Sequence, residues 1–184
     1  MARRPRRFVV LAAAGVVLVA GLRWSLPAYT VASASMTPTL RCGGRDRGCR
    51  AATSDRVVID RLSYLFDSPR RRDLVAFRSA SAARACGDSR GTVFVKRIVG
   101  LPGETVSEVR GTVLVDGRRL AEPYAAAAAR ESGLWKRGPA GSYFVLGDDR
   151  GRSCDSRRFG PLPLSALIGR VVLTYWPLGR LTFH

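Results

Sequence analysis

Thr92-Val93-Phe94-Val95-Lys96 is a short β-branched and aromatic run that follows Gly91 and ends on a charge. Its length, composition and boundaries read as a strand. Arg56-Val-Val-Ile-Asp60, Asp73-Leu-Val-Ala-Phe77, Thr112-Val-Leu-Val-Asp116, Ser142-Tyr-Phe-Val-Leu146 and Arg170-Val-Val-Leu-Thr-Tyr175 have the same form. Val115-Asp116-Gly117-Arg118 carries the turn chemistry of a hairpin, and Pro102-Gly103 marks a second turn. Ala125–Ala129 is a candidate helical turn between weak flanks. Residues 27–184 therefore read as one mostly β domain of antiparallel strands, with a small inserted β segment at about 105–142.

The 184 residues suffice for one such domain and a small appendage, and 46% apolar content argues for a packed core rather than disorder. Lys and Arg number 31 against 14 acids, a net charge of +17. Only Lys96 and Lys136 are lysines. Abundant Arg beside abundant Ala reads most simply as the mark of a GC-rich genome, but the basic surface still attracts anionic lipid or wall polymer. No helix-turn-helix, zinc-finger or base-stacking signature points to nucleic acid. The single histidine is His184, on a chain end expected to fray, so Ser–His–Asp or Cys–His chemistry is not expected. No cysteine or histidine pair has zinc-ligand spacing, and neither a metal nor another cofactor is expected.

Arg3, Arg4, Arg6 and Arg7 precede an uncharged apolar run, Phe8–Leu22. A helix over residues 8–26 spans roughly 28 Å, close to a bilayer core. Arg23 can snorkel and Trp24 can sit at the interface. The basic cluster favours a cytoplasmic N-terminus, which makes residues 1–7 a cytoplasmic tail, 8–26 a transmembrane anchor and 27–184 an exported domain. The same N-terminus fits a cleaved secretory signal processed at Ala32-Ser33-Ala34. Both readings export the rest of the chain, which permits disulfides. The four cysteines, Cys42, Cys49, Cys86 and Cys154, allow three pairings. Cys42 and Cys49 flank a short Gly-rich charged loop, so their pairing is the simplest choice and leaves Cys86 with Cys154.

Three segments hold candidate chemistry. In Ser33-Ala34-Ser35-Met36-Thr37-Pro38-Thr39-Leu40, Pro38 holds Thr37 extended. Side chains two apart in an extended segment share a face, so Ser33 and Ser35 can enter one site as hydroxyl donor and nucleophile; the plainer account is a Ser-rich linker. The second segment, Phe94–Glu104, presents Lys96 in a chain that uses Arg nearly everywhere. A lysine at about 10.4 is roughly one part in a thousand neutral near neutral pH. Burial among apolar neighbours can lower that value by roughly 3–5 units and make the amine a base, which Arg cannot become. The plainer account is a strand-end lysine reaching to solvent. In the third segment, Gly147–Gly160, Ser153 can hydrogen-bond the lysine amine while Asp155 and Arg157 pair to brace the loop; the plainer account is a solvated turn with surface ion pairs.

In this order the three segments resemble the type I signal peptidase family. SASMTPTL at 33–40 is similar to its nucleophile box, KRIVGLPGE at 96–104 to its lysine box and GDDRGRSCDSRRFG at 147–160 to its C-terminal box. Asp55–Tyr64, Arg72–Phe77 and Glu122-Pro123-Tyr124 also resemble family segments, and the likeness covers most of residues 20–180. It implies a signal-peptidase-like antiparallel β catalytic domain behind one N-terminal transmembrane helix. By the same likeness Ser35 is the nucleophile, Lys96 the general base, and the Ser33 hydroxyl with the Ser35 backbone N–H the oxyanion hole. Ser153 orients the lysine, and Asp155 with Arg157 is a structural pair. The sequence departs from the pattern at Ala34 for a common Gly, Asp149 for the usual Asn, Glu104 for the usual Asp, and Cys154 in the core of the third box.

Such a site needs Ser33 beside Ser35, which favours an uncleaved anchor. The resemblance implies a single-pass cell-membrane serine endopeptidase that cuts signal peptides from exported preproteins at the bilayer surface. Small residues are preferred at the first and third positions before the cut. A monomer is expected. A processing peptidase for a pilin or another dedicated secreted substrate is a close variant. A non-catalytic, membrane-anchored basic β domain is the alternative from another class; loss of Ser35 or Lys96 would mark it, and both are present.

Overall fold

The β-branched runs pair edge to edge. The computed structural model, which describes residues 15–17, 20–21, 23–44, 48–126, 132–135 and 139–184, joins them into an eight-stranded and a four-stranded sheet. The larger follows the order β1 (Ala28–Thr30), β2 (Arg56–Asp60), β11 (Leu167–Trp176), β3 (Leu74–Phe77), β4 (Phe94–Gly100), β9 (Ser142–Leu146) and β10 (Leu162–Pro163), with β12 (Thr182–Phe183) on β11. The smaller runs β7 (Arg118–Arg119), β6 (Thr112–Val115), β5 (Val106–Val109) and β8 (Gly133–Trp135). These strand pairs are all antiparallel.

β2 and β9 fall on the expected runs, whereas β4 starts later and continues to Gly100. Val75 pairs with Lys96, and Leu74 and Leu146 flank Arg97 from the two neighbouring strands. Lys96 is therefore inside a strand rather than at its end. The large sheet is covered on both faces, so β3 and β9 are wholly buried and lack polar alternation. Val75 and Phe77 pack with Ile98, Val145 and Leu162 on one side. Leu74 and Ala76 pack with Met36, Leu40, Val57 and Ile59 on the other. A third cluster joins Val106 and Val113 of the small sheet to Val99, Phe144 and Leu146. Gly100 permits that approach: a Cβ there would stand 2.6 Å from Val106 Cγ2 and 2.9 Å from Phe144 Cβ. At the β6–β7 hairpin, Asp116 and Gly117 both take positive φ, 48° and 76°, as its two-residue turn requires.

Three short helices were not foreseen: α1 (Ser63–Phe66), α2 (Ala80–Cys86) and α3 (Ser156–Phe159). Local capping explains the last two. Ser79 accepts a hydrogen bond from Ala82 N–H at 3.3 Å, Gly87 closes α2 in the left-handed region, and Ala82 and Ala83 face the core. Asp155 caps α3, so the end of the third segment is a helical turn rather than open loop. Ala125 and Ala126 are not helical, and residues 127–131 lie outside the described set. Cys42 is bonded to Cys49 and Cys86 to Cys154. At the N-terminal end, residues 15–17, 20–21 and 23–25 are helical. Among the described residues no helix is long and apolar enough to cross a membrane. The expected tail at 1–7 and much of the expected anchor at 8–26 lie outside the described set.

Candidate active site

β4 carries Lys96, and a single 3-10 turn, Ala34–Met36, carries Ser35. Here the expectation of an extended Ser33–Ser35 segment is corrected. Met36 and Leu40 both enter the core, and the chain turns to place them: Thr37 N–H bonds Ala34 O at 3.0 Å and Leu40 N–H bonds Met36 O at 2.8 Å. Ser33 stays extended ahead of the turn, and its Oγ still comes within 3.2 Å of Ser35 Oγ.

Lys96 Nζ lies 2.6 Å from Ser35 Oγ. Both residues are buried, Lys96 3% and Ser35 7% exposed. Among the described residues no carboxylate forms an ion pair with this amine. Burial drives the Lys96 pKa from 10.5 down to about 8, against the opposing pull of Asp155, Asp148 and Asp88, while the Arg157 charge adds to the depression. At that value about a tenth of the amine is neutral at pH 7, against roughly one part in three thousand at 10.5. The neutral amine can accept the Ser35 hydroxyl proton across the same contact. Beside the pair lies a cavity of about 420 Å³, with Tyr29, Val31, Val57, Val93 and Val95 in its apolar lining.

The loop after β9 reaches this pair from the other side. Asp149 N–H donates to Ser35 O at 3.1 Å. Ser153 Oγ is buried and has no hydrogen-bond partner among the described residues, so the expected bond to Lys96 is not made in this structure. Its hydroxyl packs over Gly147, where a Cβ would meet Ser153 Oγ at 2.2 Å and Ser35 O at 2.5 Å. Only glycine fits there. Asp155 accepts hydrogen bonds from Arg157 Nε at 2.9 Å, Arg157 Nη2 at 3.0 Å and Gly147 N–H at 3.1 Å. Arg157 Nη2 also donates to Arg150 O at 2.6 Å, and its Nη1 lies 3.5 Å from Glu108 on β5.

Sequence reading missed a second charged layer behind the site. Arg97 pairs with Asp148 through two contacts, 2.8 and 2.6 Å, and Thr39 Oγ1 donates to the same carboxylate at 2.5 Å. The Arg97 guanidinium stacks 4.0 Å from the Tyr124 ring centroid. Arg150 pairs with Glu122, which accepts a further bond from Tyr124. The available signal was a conflict of burial: a strand that runs through Lys96 into Ile98 and Val99 must bury the Arg97 guanidinium, which then requires a carboxylate. His184, expected on a frayed end, is instead held by Thr174 Oγ1, 2.9 Å from its Nε2, and by its own N–H on Val172 O. It does not line the cavity beside Ser35. Among the described residues no group of His, Cys, Asp and Glu side chains could hold a metal ion.

Residues 5–176 match the family model described as signal peptidase, peptidase S26. The chain is 37% identical over 167 residues to signal peptidase I of Leptolyngbya laminosa, covering 90% of this chain and 77% of that protein. It is likewise 37% identical to a probable signal peptidase I-2 of Synechocystis sp., covering 90% and 70%. Signal peptidase I of Bacillus caldolyticus is 30% identical over 184 residues, covering 92% and 90%.

Proposed function

The chain belongs to the signal peptidase family, peptidase S26, whose members are serine endopeptidases acting on preproteins, and from that premise we propose that it cuts them with a Ser35–Lys96 dyad. The observation that carries this reading is the 2.6 Å contact between Lys96 Nζ and Ser35 Oγ, made by a buried lysine whose pKa has fallen to about 8. Ser35 Oγ attacks the scissile carbonyl carbon as its proton passes to Lys96. The Ser33 hydroxyl and the Ser35 backbone N–H hold the oxyanion, donors of a kind worth about 3–4 kcal/mol in the transition state. Collapse of the intermediate expels the new amino terminus, which takes the proton from Lys96 and leaves an acyl ester on Ser35. A water molecule deprotonated by Lys96 then releases the cleaved signal peptide. The apolar cavity beside the pair suits the small residues that precede the cut.

Residues 8–26 anchor the enzyme in the cell membrane, residues 1–7 stay in the cytoplasm and 27–184 form the extracytoplasmic peptidase domain. The support is the apolar run Phe8–Leu22 behind four arginines. An anchor so close to Ser35 puts the site near the bilayer, where a signal peptide inserted in the same membrane presents its scissile bond. Preprotein cleavage by wild type and Ser35→Ala protein tests the nucleophile; turnover by the variant would refute it. N-terminal sequencing of the membrane fraction tests the anchor, and a mature protein starting at Ser35 would remove it.

A further inference from the structure

Cys154 stands between Ser153 and Asp155, and its disulfide crosses 68 residues to Cys86, the last residue of α2. Both cysteines line the cavity that also holds Ser35 and Lys96. The crossover bearing α2 leads directly into β4 and so to Lys96. The bond thus links the segment that delivers the lysine to the loop that delivers Ser153. Among the described residues it is the one covalent tie between them.

Ser153 needs such a tie. Among the described residues its hydroxyl has no hydrogen bond to hold it, so its place is fixed by packing and by the loop backbone. Its Cβ and Oγ pack over Gly147, and the backbone that follows is pinned at Cys154. Arg152 N–H bonds Asp149 O and Oδ1, each at 3.2 Å, and Asp149 N–H bonds Ser35 O, but these holds stay on the N-terminal side of Ser153. Arg157 on Arg150 O and Gly147 N–H on Asp155 brace the loop from beyond it, and none of these holds ties it to α2. By contrast α2 has its own supports, the Ser79 cap and the buried Ala82 and Ala83, which keep it in place when the bond opens. We propose that the Cys86–Cys154 disulfide is a positioning element of the active site: it holds Ser153 beside Ser35 and closes the wall of the cavity that holds Lys96 against water. The inference rests on the Ser35–Lys96 reading.

The test compares full-length wild type with Cys86→Ser/Cys154→Ser in preprotein cleavage across pH, each with and without Ser153→Ala. Opening the bond is expected to lower kcat by about tenfold to a hundredfold, the scale of a slightly misplaced catalytic group. The midpoint of the pH profile should move from about 8 toward the 10.5 of a solvated lysine. Ser153→Ala should then cost little more, because the two changes remove the same effect. If the serine variant does not fold, folded Cys42→Ser/Cys49→Ser protein treated with a dithiol gives the same readouts. There the Cys86–Cys154 bond accepts two electrons and two protons to become two thiols, while the dithiol closes to its own disulfide. An unmoved pH midpoint, with Ser153→Ala equally costly in both backgrounds, would overturn the inference. Failure of the dyad reading looks different, since Ser35→Ala would then still cleave.

Discussion

Lys96 and Arg97 are consecutive buried cations on β4 that point to opposite faces, and their surroundings could hardly differ more. Arg97 meets Asp148 twice, Thr39 once and the Tyr124 ring. Lys96 meets a serine hydroxyl and apolar walls. A guanidinium cannot shed its proton, so on its face the sequence must supply a counter-charge. An ammonium can, and on its face the counter-charge is withheld. One cation locks strand to loop; its neighbour is left free to serve as the base of the proposed mechanism. What separates structure from chemistry here is the partner each cation is given.

Predictions can break that contrast from either side. The largest effect is on activity: Lys96→Arg keeps the charge but cannot be a neutral base, so preprotein cleavage should fall by at least about a thousandfold. Substantial residual turnover would end the general-base account. On the Arg97 face the effect is on stability. Asp148→Ala leaves a buried guanidinium without its carboxylate and should cost about 3–5 kcal/mol in urea unfolding; a loss under 1 kcal/mol would mean that Arg97 finds water or another acceptor.

Lys96→Met should do the opposite and stabilise the fold while removing activity. The lysine pKa lies at about 8 in the folded chain and 10.5 in the ordinary state, so between those values the unfolded chain binds more protons and stability rises with pH. The strain of burying the charge is therefore full below pH 8 and gone above 10.5. The Met variant should gain about 1–3 kcal/mol in the lower range, shrinking to little at high pH, as thermal or urea melts can show. A gain that does not change with pH would sink the explanation. In wild type, cleavage should rise about tenfold from pH 7, with its midpoint at about 8, and level off above about pH 9. The smallest effect is expected of Asp88→Asn: Asp88 holds the amine pKa up, so its neutralisation should move that midpoint slightly down.

The same contrast governs what the sequence made legible. The strands β2 and β9 announce themselves by β-branched runs between breakers, and the rarity of lysine in an Arg-rich chain singles out Lys96. Short strands such as β1, β7 and β10 carry no periodic signal, and their pairing comes from neighbours far along the chain. Helices of four to seven residues are too short for a helical period and rest on caps. The turn at Ala34 is set by where Met36 and Leu40 must be buried, which is a tertiary fact. Arg97 and Asp148 are 51 positions apart, and in a chain with 31 basic residues a guanidinium that needs a carboxylate looks like every other.

The contact between Glu108 and Arg157 has a consequence for engineering. Arg157 is the group that grips Asp155, and Glu108 comes from the small sheet, outside the three segments in which the chemistry is written. Glu122, in the connection between β7 and β8 of that sheet, grips the same loop through Arg150. Excising residues 106–135 to make a minimal protease would leave Ser33, Ser35, Lys96 and Ser153 in the chain, yet it would strip two carboxylates from the arginines that shape the loop behind Ser35. A shortened enzyme would keep its whole chemical inventory and lose the alignment that makes the inventory useful.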